Sequence, residues 1–261
     1  MNGGKIGMTL YYFMVFFIFG TIFGSFYNVV GSRLSRGESI VFPPSHCNNC
    51  NHKLTPIELI PIFSFLIQGG RCKKCKVKLS WFYPIHEFLT GLLFALAYLK
   101  FGFSLELIIA LTFISMIIII IVSDYEELII PDEVLIVFNI FLIIEIFFIT
   151  GFNNLLISLI YGIISMLVMF LIKQFGDFMF KKESMGGGDI KLLFTFGLVL
   201  GIPMSFVAIF LASFIGLPIS VILLYSKKSH IIPFGPFLGI GAIIILLLGI
   251  DVNWLMNLYH I

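Results

Sequence analysis

Charged residues are scarce in this 261-residue chain: they make up 11% of it, whereas hydrophobic residues make up 59%. Soluble domains carry about 25% charged residues, and a mean hydropathy of +1.10 is typical of a protein that lies in lipid. The formal net charge is only +2, which gives no case for nucleic-acid binding, because nucleic acids attract strongly basic surfaces. The sequence therefore excludes a soluble domain and predicts an all-α, polytopic membrane protein in contact with a lipid bilayer.

Long apolar runs predict about eight transmembrane helices. A helix needs about 20 mostly apolar residues to cross the hydrocarbon core, and the sixth run is short by this measure. The runs cover residues 8–31, 85–99, 104–123, 133–150, 153–172, 190–201, 203–225 and 232–250. A cleavable signal peptide is not evident, because the first run exceeds the apolar core of about 7–15 residues in such peptides and lacks a strongly basic start. We expect residues 8–31 to be retained as the first helix.

The lysines and arginines predict the orientation, because they concentrate in short loops on the cytoplasmic side. An eight-helix chain with both termini outside places the long polar segment 32–84 in the cytoplasm. Only Lys5 and Lys100 then fall outside. The basic residues that fall inside are Arg33, Arg36, Lys53, Arg71, Lys73, Lys74, Lys76, Lys78, Lys173, Lys181, Lys182, Lys191, Lys227 and Lys228.

The chain has only four cysteines, and all of them lie in the segment 32–84. They form two pairs, Cys47-x-x-Cys50 and Cys72-x-x-Cys75, separated by 21 residues, just beyond the usual 15–20 of paired zinc ligands. The segment also repeats itself with an offset of 25 residues, since Lys53, Leu54 and Thr55 recur as Lys78, Leu79 and Ser80. Disulfides or free thiols are the alternatives, but a reducing cytoplasm favours metal binding. Four thiolates predict a structural zinc ion with no open coordination position.

Two aspartates at helix ends are candidates for catalysis, because charged groups near hydrocarbon are costly and usually functional. Asp124 closes the third apolar run, whereas Asp132, which begins the next one, is explained by a helix cap. Asp189 follows three consecutive glycines, which disfavour a regular helix and let another backbone approach closely. A glycine loop capped by an aspartate is the alternative for Asp189. Two carboxyl groups that share one proton can activate water and polarise a carbonyl, so the pair predicts an aspartyl protease.

These residues resemble those of the bacterial type IV prepilin peptidases, and the resemblance covers almost the whole chain. Asp124 lies in an Asp-x(6)-Pro-Asp pattern, and Asp189 lies in a Gly-x-Gly-Asp pattern followed by Lys191. The other matching segments are residues 24–30 with Arg33 and Leu34, the loop from Pro44 to Cys75, residues 83–87 and Pro233-Phe234-Gly235-Pro236. The chain departs from the family at Asn48, where proline is frequent, and at Gly187, where a larger residue is usual.

The resemblance implies a bifunctional enzyme of the bacterial cytoplasmic (inner) membrane with its active site at the cytoplasmic face. Such enzymes cut a short basic leader from prepilins or pseudopilins and then methylate the new amino terminus with S-adenosylmethionine. Residues 1–100 would hold two helices and the zinc loop, and residues 101–261 the peptidase domain with catalytic Asp124 and Asp189. Glu87 and the loop are candidates for the methyl-transfer site by analogy alone. No strand, glycine-rich turn and helix that would bind the nucleotide part of the methyl donor is evident in the sequence. The alternative for Glu87 is a charge in the first turn of a helix, which the helix N-terminus favours.

The residues named above leave two other functions open. A presenilin-like intramembrane protease shares the Gly-x-Gly-Asp element, but its first motif is Tyr-Asp and its third Pro-Ala-Leu, whereas Asp124 here follows Ser123. A transporter could bind an ion between Asp124 and Asp189, but it would not need the cysteine loop, and no inverted repeat is evident.

Overall fold

The computed structural model describes residues 2–183, 185–225, 233–251 and 254. Within these residues the regular secondary structure is helical, and two isolated β-bridges lie in the loop between the first two long helices. It divides into two compact units, Met1–Leu107 and Ile108–Ile261. Lys227 and Lys228, which the sequence places in an inside loop, lie outside the described residues.

The first unit is a pair of long helices joined by the cysteine loop. Helix α1 covers Asn2–Ser35 and α3 covers Phe82–Phe101; between them lie a 3₁₀ turn, Pro56–Leu59, and the short helix α2, Phe63–Ile67. The long helices are antiparallel and touch through glycines. A methyl group added at Gly24 would lie 2.9 Å from Cβ of Thr90, and one at Gly91 would lie 2.7 Å from Cγ2 of Thr21. Small residues allow such contact in membranes, where helices gain little from hydrophobic association.

One polar contact also links this helix pair. Asn28 of α1 donates from Nδ2 to the backbone carbonyl of Tyr83, near the start of α3, at 3.3 Å. Such a bond gives a partner to a polar side chain inside a helix pair.

The second unit contains the remaining long helices. They are α4 (Leu105–Glu127, which begins in the first unit), α5 (Asp132–Thr150), α6 (Phe152–Phe180), α7 (Gly187–Leu200), α8 (Ile202–Tyr225) and α9 (Gly235–Leu248). Helix α4 forms the core: Phe113, Ile114, Met116 and Ile117 are fully buried. Most of α7 is buried as well, and Gly197 lets it approach the backbone of α6 so closely that a methyl group there would lie 2.5 Å from the carbonyl oxygen of Tyr161.

Polar pairs also link the helices of the second unit. Ser165 of α6 and Ser205 of α8 are 3.0 Å apart at their hydroxyls. Thr195 of α7 donates to Asn139 of α5 at 2.9 Å. Such bonds satisfy groups that lipid leaves without a partner.

Each of the eight predicted apolar runs corresponds to one helix of the structure. Among the residues that the structure describes, six helices are long and apolar enough to cross a membrane, namely α1, α3, α4, α5, α6 and α8. Helices α7 and α9 have 14 residues each and are about 21 Å long, shorter than the hydrocarbon core of about 30 Å. The all-α, multi-pass membrane architecture predicted from composition is confirmed.

Candidate active site and metal centre

Asp124 is held at the end of α4 by the start of another helix. It lies in the last turn of α4, is 7% exposed and accepts a hydrogen bond at Oδ2 from the backbone N–H of Gly235, 2.9 Å away. Gly235 is the first residue of α9, and its N–H is one of the donors that a helix start leaves without an intrahelical partner. The positive end of the α9 dipole therefore stabilises a negative charge on Asp124.

The absence of a side chain at Gly235 makes this contact possible. A methyl group there would lie 2.7 Å from Oδ2 of Asp124 and 3.2 Å from Cγ. The Pro233–Pro236 segment resembles a family motif, but no feature of its sequence predicted that it contacts Asp124, which lies 111 residues earlier in the chain.

Asp189 lies in the first turn of α7, which begins at Gly187 with Gly186 as its N-cap. Its carboxylate accepts a hydrogen bond from the backbone N–H of Gly186, the reciprocal half of a capping box. The expectation that the three glycines disfavour a regular helix holds only for Gly186, because this cap allows the helix to begin at Gly187. Gly188 does allow a close contact, but with a side chain: a methyl group there would lie 2.8 Å from Cβ of Ile130.

The fold brings the two aspartates together, although 65 residues separate them in the chain. Both are buried, at 7% and 9% exposed, and the charge of Asp124 acts on Asp189 through a direct coulombic interaction. Two buried carboxylates that interact in this way do not ionise independently of each other.

Asp132 does not cap α5 as the sequence suggested. Pro131 is the N-cap, and no side chain provides a capping bond there. Asp132 instead accepts bonds from Nζ of Lys191, at 2.7 Å to each carboxylate oxygen. This ion pair joins the starts of α5 and α7 close to Asp189, and both side chains are more than half exposed.

The four cysteines form one cluster in the first unit. Their sulfur atoms all lie within 4.8 Å of one another; Sγ of Cys47 and Cys75 are 3.8 Å apart, and Sγ of Cys50 and Cys72 are 3.9 Å apart. A tetrahedral zinc site with bonds of about 2.3 Å separates its sulfurs by about 3.8 Å. Cys47 and Cys72 are buried. The cluster therefore offers four ligands at a spacing that suits a tetrahedral metal ion.

The two cysteine pairs are also copies of each other in three dimensions, as the repeat of 25 residues predicted. Cys47 N–H donates to His52 and Cys72 N–H to Val77. Asn51 and Lys76, both with positive φ, donate back to Cys47 and Cys72. The bridges His46–Lys53 and Arg71–Lys78 close the two copies.

Backbone amides of these turns favour thiolates over thiols. The N–H of Val77 and then the side chain of Asn49 donate to Cys75 and lower the pKa of its thiol to about 6. The N–H groups of Asn49 and Cys50 lower the pKa of Cys47. The N–H of His52 acts in the same direction on Cys50, but burial and the other three cysteine side chains outweigh it and raise the pKa of that thiol to about 11. Because a metal binds the thiolate form, the turns prepare Cys47 and Cys75 for ligation.

Comparison with known proteins matches both units to one family. The family model described as the bacterial peptidase A24 N-terminal domain matches residues 18–101, and the model of the type IV leader peptidase family matches residues 111–221. The chain belongs to the type IV leader peptidase family. No solved structure matches it.

Several relatives carry the name prepilin leader peptidase/N-methyltransferase. That of Bacillus subtilis is 39% identical over 240 residues, covering 90% of this chain and 94% of the relative. That of Pseudomonas aeruginosa is 31% identical over 266 residues, with 89% of each chain covered. That of Aeromonas hydrophila is 30% identical over 277 residues, with 93% of each covered. The likeness therefore extends along nearly the full length.

The two family models divide the candidate sites between them. The N-terminal match holds the four cysteines, and the type IV leader peptidase match holds Asp124 and Asp189. Gly235, which donates to Asp124, lies beyond both matched ranges.

Glu87, a candidate for the methyl site by resemblance, binds the loop. It is 8% exposed, and its Oε2 accepts the backbone N–H of Ile62 at 2.7 Å; Ser25 of α1 also donates to it. Ile62 has φ +63°, and the neighbouring Phe63 N–H bonds to the Pro61 carbonyl, which makes a γ-turn of the rarer, positive-φ kind. Glu87 lies in the second turn of α3, so the alternative of a first-turn charge is wrong, and one role of its carboxylate is to hold this turn.

A cavity of about 270 Å³ lies beside this contact in the first unit. Its α1 wall contains Ser25, Phe26, Val29 and Arg33, and its loop wall is mainly apolar. The loop residues are Ile40, Val41, Pro43, Pro44, Ser45 and Leu59.

Proposed function

We propose that this protein cleaves the basic leader peptide from type IV prepilins or pseudopilins and then methylates the new amino terminus. Membership of the type IV leader peptidase family supports the class of reaction, and the names of the relatives support both activities. The observation that carries the proposal is the coupled, buried pair of Asp124 and Asp189.

In the proposed reaction the pair works with one shared proton. The ionised carboxylate takes a proton from water, and the resulting hydroxide attacks the scissile carbonyl, which the protonated carboxyl polarises. The tetrahedral intermediate then breaks its C–N bond, and the proton taken from water passes to the leaving amine. The Gly235 N–H and the dipole of α9 favour charge on Asp124, so we assign the general base to Asp124 and the proton-donating role to Asp189. Water is the nucleophile, and therefore no covalent acyl-enzyme forms.

The surroundings of the pair suit a peptide substrate. A scissile peptide bond must leave its helical hydrogen bonds before water can attack it, and an extended backbone needs room. Gly186 and Gly187 are exposed, and a methyl group at Gly187 would meet no atom within 4 Å. We propose that the substrate backbone passes over these glycines.

We place this chemistry at the cytoplasmic face of a bacterial inner membrane. Lysines and arginines support that placement, because the loop 32–84 and the loops after α6 hold most of them and such residues concentrate on the cytoplasmic side. A zinc ion held by Cys47, Cys50, Cys72 and Cys75 would stabilise the loop, and four protein ligands exclude a direct role for it in hydrolysis.

For methylation, we propose that the cavity beside Glu87 receives S-adenosylmethionine, which supplies the methyl group. The ligand has a carboxylate and an adenine ring, and the cavity offers the Arg33 guanidinium and apolar walls. Val29→Phe should fill the cavity and abolish S-adenosylmethionine binding while proteolysis continues. Ile22→Phe, at an exposed position of the same helix, is the control. Unchanged binding by Val29→Phe would assign the methyl donor to another place.

The proteolytic pair is tested by Asp124→Asn and Asp189→Asn, which keep the side-chain size but remove the ionisable group. Loss of an acid-base partner lowers rates by about 10²–10⁴-fold, and we expect each variant to lose cleavage of a membrane-embedded prepilin by that factor. Asp132→Asn, on the same side of the unit, is the matched control and should cleave nearly normally. Near-normal turnover by Asp124→Asn or Asp189→Asn would refute the mechanism.

A further inference from the structure

The loop segment from Ile57 to Ile67 is unusually apolar for a segment between two helices. Between Lys53 and Arg71 it contains one charged residue, Glu58. That side chain points inward: it is 8% exposed and binds Thr55 and His52. The outer face of the segment therefore has no charge.

Large apolar side chains cover this outer face instead. Ile57 is 72% exposed, Phe63 is 66% and Ile67 is 82%; Ile60 and Leu66 are exposed as well. Five such residues in 11 positions would form an unfavourable surface in water. Phe65, by contrast, is buried and packs against Trp81 with ring centres 4.7 Å apart, so the segment has an ordered interior.

The bond between Glu87 and Ile62 fixes the depth of this segment. Glu87 is five residues into α3, a helix long enough to span a membrane, which corresponds to about 7.5 Å along its axis. Ile62 N–H lies 2.7 Å from its carboxylate. The segment therefore lies level with the second turn of a membrane helix and not above its end.

Helix α3 presents apolar surface outward at that level. Ile85, Phe88 and Leu89 of α3 are all exposed, and lipid is the expected neighbour of such residues in a spanning helix. The outer face of 57–67 is apolar in the same way. Exposed cations lie on both sides of the segment, at Lys53 and Arg71.

We propose that residues 57–67 form an interfacial anchor, which inserts into the headgroup and acyl boundary of the leaflet where α1 ends and α3 begins. Its occupant is the lipid of that leaflet, with anionic headgroups next to Lys53 and Arg71. Apolar burial together with basic flanks is the pattern by which segments lie in a membrane interface. The anchor holds the cysteine loop against the membrane surface.

Single tryptophans in the full-length protein test this placement. Trp81 and Trp254 are replaced by phenylalanine, and one tryptophan is introduced by Phe63→Trp or Ile67→Trp. Lys73→Trp, at an exposed position in the second cysteine copy, is the matched control. Each protein is reconstituted into phosphatidylcholine–phosphatidylglycerol vesicles, with and without lipids brominated near the top of the acyl chain.

We expect brominated lipid to quench the two anchor tryptophans at least about twofold, as it does for side chains buried about 5–10 Å into the interface, and acrylamide to quench them weakly. Lys73→Trp should show the reverse. Protection of the cysteines from a thiol reagent verifies that each loop is folded. The proposal would be overturned if acrylamide quenched folded Phe63→Trp and Ile67→Trp as strongly as Lys73→Trp. It would also be overturned if the two tryptophans became protected from acrylamide only when prepilin is added.

Discussion

Replacement of Gly235 by alanine should lower the catalytic rate of this protein and leave its thermal stability nearly unchanged. The added methyl group would lie 2.7 Å from Oδ2 of Asp124, a distance at which carbon and oxygen repel. The carboxylate has to retreat by about half an ångström or more, and it then loses the bond from the Gly235 N–H. The backbone gains from the change, because alanine suits a helix better than glycine.

The expected size of the effect follows from the lost interaction. A hydrogen bond to a charged group contributes about 1.5–3 kcal/mol, and each 1.36 kcal/mol of barrier changes a rate about tenfold. Turnover should fall by about 10–100-fold, because the bond that orients the proposed general base is gone. The midpoint of thermal unfolding should change little.

Gly239→Ala is the matched control on the same helix. Its methyl group would lie 2.5 Å from Cγ2 of Ile117, so it disturbs packing between α9 and α4 and leaves Asp124 untouched. We expect a lower unfolding temperature with normal turnover per folded molecule. Prepilin cleavage in proteoliposomes, set against thermal unfolding of the same preparations, compares the two variants. Turnover by Gly235→Ala within about twofold of the unaltered protein would refute the role given to its N–H.

Three further changes test other parts of the structure. Cys47→Ser should reduce bound zinc from one ion per chain and expose the remaining thiols to reagents, because such a site contributes on the order of 10 kcal/mol to folding; thiols of the unaltered protein that titrate freely without a chelator would contradict the metal site. Glu87→Gln keeps an acceptor for Ile62 N–H, so the loop should stay protected from proteolysis, whereas Glu87→Ala should lose protection; loss of methylation in a well-folded Glu87→Gln would instead indicate direct participation. Asp132→Asn should lower turnover by less than about fivefold, because exposed ion pairs contribute about 0–1 kcal/mol, and a loss equal to that of Asp189→Asn would assign Asp132 to the reaction.

Features governed by local rules were predictable from the sequence. The two similar cysteine turns were predictable from the spacing of the Cys-x-x-Cys pairs, because the hydrogen bonds that close each turn join residues of the same short segment. The apolar runs predicted the positions of the helices, because lipid requires every backbone polar group of a spanning segment to be hydrogen-bonded within its own helix. Local rules also explain one error: three glycines disfavour a helix, but the bond from Gly186 to Asp189 outweighs that preference.

Features that depend on distant partners were not predictable. Asp132 has a sufficient local explanation as a cap, yet its partner is Lys191, 59 residues later. The donor to Asp124 is a backbone amide, which is present in nearly every residue and leaves no signature in a sequence. Residues 57–67 are an apolar stretch inside a loop that is otherwise polar, and only the bond from Ile62 to Glu87 fixes their depth.

The glycine contact between α1 and α3 affects how the cysteine loop unfolds when its metal is removed and refolds when the metal returns. Helices that meet backbone to backbone at Gly20, Gly24 and Gly91 have one register, and they can associate in the bilayer before any ion has been captured. The ends of the loop are thus held near each other throughout, so most of the entropy of closing it has already been lost. Metal depletion should therefore unravel only the intervening residues, and resupply of the ion should restore them without a new round of membrane insertion.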